Sequence, residues 1–412
     1  LTVVEGPLQG KNFTYNGPAT AIIGRSRDCS IRLPSDEEHK TISRHHCLLD
    51  IAPPEIRVRD FGSLNGTWVN GEKIGQRAQR TRDLAVFPEH DLKDGDKIKL
   101  GSTVFEVSIV GGAGSGGGRS FASPREFLNE WLSTLPKRQQ FTVEKELGRG
   151  GMGAVFLVKD RADRPYAIKV LLPQCLVSKK HRQRFRRELT TLKRMKHENI
   201  VSLVDHFVFE GAYVLLLDYC NGGNLKEHLA HSGGTIGLTE ALAIQGELLA
   251  ALHHAHESGV VHRDLSPDNI LFHEENGKRM VKLSDFGLAK ACEQAGLSGL
   301  TRTGTVGGKP YYMPRSLVID FKYAKAEADL WSATAVLYHS LTGCYPRDFA
   351  KDKDPWTVVL GGKVRPIKER SAEVPEELAK VIDDMLDEKN PSQLSAEEFR
   401  QTLSRFVPRL EQ

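Results

Sequence analysis

The 412-residue chain has no run of about eighteen apolar residues, which excludes an ordinary membrane-spanning helix. Its opening, LTVVEGPLQG, carries neither a basic leader nor a long apolar stretch, which argues against a signal peptide. An initiating Met is also missing, so a processed or trimmed product is expected, and an anchor elsewhere stays compatible with that. Cysteine is sparse. Cys29, Cys47, Cys175, Cys220, Cys292 and Cys344 never form a CxxC pair, so zinc-ligand spacing is absent. Thiols so dispersed read as core residues of a reducing compartment instead of a disulfide framework. Glycosylation-type triplets at Asn12 and Asn65 lack a secretory context and read as coincidental. Charge of one sign is scarce too: a net +4 gives no whole-protein field to attract nucleic acid.

A chain of this length suggests two or three domains. Residues 1–110 read as short strands (TAIIG, SIRL, HHCLLDI, EIRVRD, GTWVNG, TVFEVSIV) separated by Gly, Asn, Asp and Pro, which suggests a β-sandwich. GGAGSGGGRS at 111–120 cannot bury enough surface to offset backbone ordering and reads as a mobile tether, with a reach of roughly 16–20 Å. No fixed relative pose of its neighbours is expected from it. Within 121–140, Phe127, Leu128, Trp131, Leu132 and Leu135 recur at helical spacing behind Ser123 and Pro124, a capped amphipathic brace. From residue 141 a strand-rich stretch precedes helical patterns over 241–256, 328–340, 376–386 and 395–406, the order expected of a two-lobed α+β domain.

ELGRGGMGAVFLV, residues 146–158, sets Gly148, Gly150 and Gly153 in GxGxxG spacing around Arg149, Gly151 and Met152, with Val155 following. Glycines let a backbone approach phosphates without side-chain collision. The same spacing occurs in dinucleotide sites, but there a helix follows, whereas here FLV and YAIKV are strands. The second strand carries Ala167 and Lys169. An amine between Ile168 and Val170 needs an anionic partner, and Glu188, early in a helical pattern over 184–196, is suited to hold it over a phosphate. A local pairing of Glu188 with Arg184 or Arg187 is the alternative.

With HRDLSPDN at 262–269 and DFG at 285–287, residues 141–408 closely resemble the eukaryotic-type protein kinase family. The resemblance implies ATP and Mg2+ as cofactors and a set of roles. Asp264 would orient the substrate hydroxyl and accept its proton, Asn269 and Asp285 would hold magnesium, and Lys169 would grip the α/β-phosphates with Glu188 behind it. Residues 148–155 would cover the phosphates and Ala167 would line the pocket. Leu217 would sit at its back, Asp218, Tyr219 and Cys220 would form the adenine-binding hinge, and Asn224 would meet the ribose. Asp329, in ADLWS, would anchor the catalytic loop. Pro267, Asp268 and Asn269 match the Ser/Thr-specific branch, so protein substrates with Ser or Thr are expected. Thr301, Thr303 and Thr305 are candidate phosphosites, with Arg263 as the phosphate's partner.

Some positions depart from the family pattern. Ser266 stands where Ser/Thr members carry a Lys, a contact whose loss costs on the order of 2–4 kcal/mol at the transition state if nothing replaces it. Pro314–Ser316 replaces APE, and the stretch at 390–398 lacks the Arg that pairs with that Glu. Losing both halves of a buried pair is milder than losing one, so the substrate platform is expected to be anchored in another way. Thr334 takes the glycine position of the family's DxWSxG, where closer packing is expected to shift its neighbours. An active kinase leads, with a weakly active or inactive nucleotide-binding scaffold as the alternative.

In the first hundred residues, IIGRS, TISRHH, DFGSLNGTWVNG and DGDKIKLG closely resemble the forkhead-associated family, which implies recognition of phosphothreonine-containing proteins or peptides. Arg25 would contact the phosphate, Ser43 would donate to it, Arg44 would assist, and Asn65 would hold the peptide backbone. His46 would be structural and His45 exposed. The fold class expected for the whole is thus an N-terminal all-β sandwich joined to an α+β bilobal kinase. A tethered reader would recruit marked substrates, or capture a second copy in a transient self-association. The basic stretch over 177–196 reads as a solvated helix face, with nucleic acid not favoured, and the layout suggests a cytoplasmic or, in a nucleated cell, nuclear protein.

Overall fold

The structure is a computed structural model that describes residues 1–15, 19–26, 29–37, 39–52, 55–76, 89–109, 123–136, 140–150, 153–171, 189–210, 212–286, 310–319, 324–350, 355–390 and 392–407. Gly151, Met152, Glu188, Thr301, Thr303, Thr305 and the 111–120 tether lie outside these residues. The chain forms two compact units. The first joins Leu1–Gly114 with Met313–Ala324 and Arg347–Arg365; the second comprises Ser115–Tyr312, Lys325–Pro346 and Pro366–Gln412. Two segments from the kinase-like stretch therefore fold with the N-terminal strands, a grouping that composition alone does not reveal.

In the first unit the strands are β1 (Thr2–Glu5), β2 (Ala19–Gly24), β3 (Ile31–Arg32), β4 (Cys47–Ala52), β5 (Glu55–Asp60), β6 (Thr67–Val69), β7 (Glu72–Gly75), β8 (His90–Leu92), β9 (Lys97–Leu100) and β10 (Thr103–Glu106). They make two sheets, β1-β10-β9-β6-β7 and β3-β2-β4-β5-β8. Pairing is antiparallel except between β2 and β3. Strand alternation supplies the core: Ala21, Ile23, Cys47, Leu49 and Val58 from one sheet bury against Val69, Ile98, Leu100 and Phe105 from the other. The sandwich expected from the spacing of short apolar runs is what forms.

In the second unit α1 (Pro124–Thr134) is capped by Ser123, whose hydroxyl accepts from the Glu126 amide at 3.1 Å. Its Phe127, Leu128 and Trp131 pack onto the sheet β11 (Thr142–Gly150), β12 (Gly153–Lys159), β13 (Pro165–Leu171), β14 (Leu203–Phe209) and β15 (Ala212–Asp218), ordered β11-β12-β13-β15-β14. Trp131 meets Phe207 and Phe127 meets Phe209 at 5.1 and 5.5 Å between ring centroids. The brace thus covers an apolar sheet face that would otherwise be wet.

Next come α2 (Leu225–His231), α3 (Leu238–Glu257) and the hairpin β16 (Ile270–Glu275) with β17 (Lys278–Leu283). The first unit's short helices are α4 (Arg315–Ile319) and α6 (Pro355–Gly361); the second unit continues with α5 (Ala326–Thr342), α7 (Glu376–Met385) and α8 (Ala396–Ser404). α3 packs against α5 and α8, and α5 against α7. The Thr334 hydroxyl, fully buried, donates to the Leu330 carbonyl at 2.7 Å, so the helix itself satisfies the group that replaces the family glycine. No helix among the described residues is long and apolar enough to cross a membrane.

Candidate functional sites

Gly148 pairs with Val155 and Gly150 with Gly153, which makes the glycines the tip of the β11–β12 hairpin. Gly153 has φ of +145°, and a Cβ there would lie 1.8 Å from the Val170 carbonyl oxygen, so only glycine fits. Arg149 pairs with Ala154 within the same hairpin. The exposed guanidinium of Arg149 holds the half-buried Glu146 carboxylate at 2.8 and 2.9 Å.

On β13, Lys169 lies opposite Val155 and Leu215, and Ala167 lies opposite Leu217. This register fixes where the Lys169 stem emerges. Its Nζ donates to Asp285 Oδ2 at 2.7 Å, with the two side chains 13% and 27% exposed, although the residues are 116 positions apart. The next segment, Leu217 to Cys220, is half-buried and leaves the sheet as the Asp218 amide donates to Ser202. Burial pushes the Cys220 thiol up to about 12, so it stays protonated at neutral pH. Asn224 caps α2: its Oδ1 accepts from the Glu227 amide at 2.9 Å in a reciprocal capping box.

Buried Asp329 organises the loop that runs through His262 and Arg263. It accepts from the amides of His262 and Arg263 and from His256 Nε2, each at 2.8 Å. Burial works to raise this carboxyl, but the hydrogen bond and charge of His256, then the His262 charge and the Arg263 amide, hold it below the ordinary range. His262 accepts from the Asp264 amide at Nδ1 and donates from Nε2 to the Ser284 carbonyl at 2.8 Å, which links the loop to the segment before Asp285. Asn269 Nδ2 donates to the Asp264 carbonyl at 2.6 Å, while the Asn269 carbonyl accepts from Ser284 N and Oγ. With its amide nitrogen donating to Asp264, Asn269 has Oδ1 as its side-chain acceptor. Arg263 and Asp285 have φ of +66° and +63°. Non-glycine residues there cost of order 1–3 kcal/mol each, and such backbone persists only where neighbours over-determine it.

Ser266 is 2% exposed and its Oγ makes no hydrogen bond among the described residues. Nearby, Lys226 Nζ pairs with Asp268 at 2.9 Å, a cation that motif matching overlooks because it comes from α2. Ser316 is exposed, whereas Arg347, 1% exposed, donates from Nη1 to the Met313 carbonyl at 3.1 Å. An arginine inside the CYPRDF run has no sequence signal for that role.

In the first unit His46 is the hub. Its Nδ1 accepts from the Ser43 amide at 3.0 Å, which leaves Nε2 to donate to the Gly66 carbonyl at 3.1 Å. Burial lowers its pKa, so the neutral ring is the native form; neighbouring His45 is half-buried, not exposed. Buried Asp60 accepts from Ser63 N, Ser63 Oγ and Thr67 Oγ1, and so sets the SLNGT turn. On that turn the Leu64 amide donates to Ser43 Oγ at 3.1 Å and Asn65 Nδ2 to the Thr41 carbonyl at 2.6 Å. Arg25 donates from Nε to the Ile42 carbonyl, and its amide bonds the Ser43 carbonyl. Gly24 permits this approach, since a Cβ there would lie 2.1 Å from the Arg44 carbonyl oxygen. Arg25, Ser43, Arg44 and Asn65 thus belong to one set of interlocked loops, while Asp60 and Thr41 went unnoticed in the sequence.

A protein kinase domain model matches residues 141–403, and an FHA domain model matches residues 21–101. The chain is 36% identical over 226 residues to the probable serine/threonine-protein kinase pknA2 of Bifidobacterium longum, covering 54% of this chain and 28% of that protein. It is 35% identical over 330 residues to the serine/threonine-protein kinase AtPK2/AtPK19 of Arabidopsis thaliana, covering 73% of this chain and 67% of that one. A third relative, the CBL-interacting protein kinase 21 of Oryza sativa, is 32% identical over 246 residues, covering 59% of this chain and 46% of that protein. The chain therefore spans less than half the length of the first and third.

Proposed function

We propose that this chain, which belongs to the protein kinase family and carries an FHA domain ahead of its kinase domain, transfers the γ-phosphoryl group of ATP to Ser or Thr hydroxyls on proteins marked by phosphothreonine. The observation that carries the catalytic half is the Lys169–Asp285 pair at 2.7 Å, beside a loop in which Asn269 is bonded to Asp264. Protein kinase domains use ATP and magnesium, and the donor set fits: a carboxylate and an amide oxygen suit a hard cation that completes its shell with phosphate and water. Bound magnesium would supply neutralisation of the β/γ-phosphate charge. Asp285 and Asn269 would hold the cation, and Lys169, paired with Asp285 at 2.7 Å, would then be placed to meet phosphate oxygens. Gly148, Gly150, Gly153 and Val155 would cover the phosphates from β11 and β12. Asp264, whose backbone is held by the side chains of His262 and Asn269, orients the acceptor hydroxyl and takes its proton. Leu217, Asp218, Tyr219 and Cys220 supply the hinge against the adenine.

In the FHA domain, Arg25 and Arg44 offer charge-assisted donors to a doubly ionised phosphate, Ser43 offers a hydroxyl, and Asn65 offers an amide to the peptide backbone. Recruiting a marked substrate raises its concentration beside Asp264. Capture of a second copy through its activation segment is the other use of the same loops. A weakly active scaffold is the second reading, favoured by the buried hydroxyl of Ser266 where a cation is expected. Phosphate incorporation into a generic Ser/Thr substrate separates the two: the enzyme exceeds an Asp264→Asn variant, and the scaffold does not. Phosphopeptide binding that survives Arg25→Ala unchanged would refute the reader assignment.

A further inference from the structure

We propose that the second face of the β2–β4 sheet in the FHA domain is an intrachain docking surface for α4 and α6, and that this packing anchors the segment following the activation loop in place of the family's ion pair. The proposal begins with strand parity. Ala21, Ile23, Cys47, Leu49 and Ile51 turn into the sandwich core. Ile22 and Leu48, one residue out of phase, must turn to the other side, yet they are only 1% and 5% exposed. A strand apolar on both faces is one that is covered on both faces.

The cover is identified. Leu360 and the partly buried Trp356 of α6, with Val318 of α4, pack against Ile22, Leu48, Phe61 and Cys29 as one apolar cluster. Both helices belong to the same compact unit as the sandwich. α4 is the element in which the family's glutamate would stand; here that position is the exposed Ser316, which anchors nothing by charge. Val318, two residues on, takes the load through apolar contact, and Arg347 pins the Met313 carbonyl just before it at 3.1 Å.

The same face is bonded to the reader loops. Cys29 Sγ donates to the Arg44 carbonyl at 3.1 Å, and the Ser26 amide donates to that oxygen at 3.0 Å. Docking of α4 and α6 is therefore continuous with the loops that present Arg25 and Arg44.

Amide hydrogen exchange on the full chain tests this without needing turnover or phosphopeptide, so its outcome is independent of the proposed function. Leu48→Lys places a charge in the cluster from the sheet side. Exchange over 315–319 and 355–361 should rise at least tenfold, while α3 and α5 keep their protection. Unchanged exchange in those helices, with β4 and β5 still protected, overturns the proposal. Should Leu48→Lys unfold the sheet itself, the double variant Trp356→Ala, Leu360→Ala opens the face from the helix side. Alkylation of Cys29 in that variant should then rise at least tenfold, and an unchanged rate overturns the proposal equally.

Discussion

Replacing Asp329 with Ala removes the acceptor for the amides of His262 and Arg263 and for His256 Nε2, three hydrogen bonds of 2.8 Å around a carboxylate that is 1% exposed. Leaving a buried donor unsatisfied costs about 1–3 kcal/mol, so the two backbone amides alone lose roughly 2–6 kcal/mol. That is a large part of a typical domain's net stability of about 5–15 kcal/mol. The same bonds hold Arg263 at φ of +66°, next to Asp264. Releasing that backbone would misplace Asp264, the proposed base, and a shift near 1 Å costs about 10²-fold in rate.

Urea unfolding followed by far-UV circular dichroism, paired with steady-state transfer to a Ser/Thr peptide, measures both effects. Asp329→Asn, which keeps one oxygen, should lose less stability yet still turn over about 10²-fold slower, with the KM for ATP little changed. The stability term has a pH signature. Because the folded pKa is lowered, Asp329's contribution is complete above the unfolded value of about 4 and is lost as pH falls through the folded value. Wild-type turnover and an unchanged unfolding midpoint in Asp329→Ala would refute the clamp.

Gly153→Ala should weaken ATP binding at least tenfold in a calorimetric titration, because a methyl group 1.8 Å from the Val170 oxygen forces the hairpin open; unchanged affinity contradicts that geometry. For His46 the sign is opposite to that of a histidine gaining an anionic partner. Its folded pKa is lowered by burial, so the unfolded chain takes up a proton first as pH drops below about 6.5, and stability falls from there. The FHA melting transition should fall as pH drops below about 6.5 in the full chain, and that fall should be smaller in His46→Gln. Ser266→Lys should raise turnover about tenfold or more if the missing cation limits the rate; no change would point to Lys226 as its replacement.

Much of the fold is legible in residues that have to alternate or repeat. The short strands over 19–60, bounded by turn residues, and the Phe127, Leu128, Trp131 stripe lie in the structure where their spacing puts them. The GxGxxG hairpin is readable because Gly153 allows no substitute, and the lysine of YAIKV because an amine on a buried strand needs a partner. What the strand pattern did hold, and composition concealed, is the double-sided burial of β2 and β4: TAIIG and HHCLLDI are nearly continuous apolar runs, which a one-sided sheet does not require. Arg347, Lys226 and His256 carry no local signal, since each acts on a residue far away in sequence. The neutral tautomer of His46 follows only from its two bonded neighbours. Arg149, read as part of the phosphate-covering loop, pairs its guanidinium with Glu146, three residues back, a local bond that the motif does not announce.

The most direct test of the account is a crystal structure of the full chain with magnesium and a non-hydrolysable ATP analogue. Asn269 Oδ1 and an Asp285 carboxylate oxygen should ligate one magnesium at about 2.1 Å, with Lys169 Nζ transferred from Asp285 to a phosphate oxygen. A bound nucleotide whose metal touches neither residue, with the Lys169–Asp285 pair intact, would contradict it.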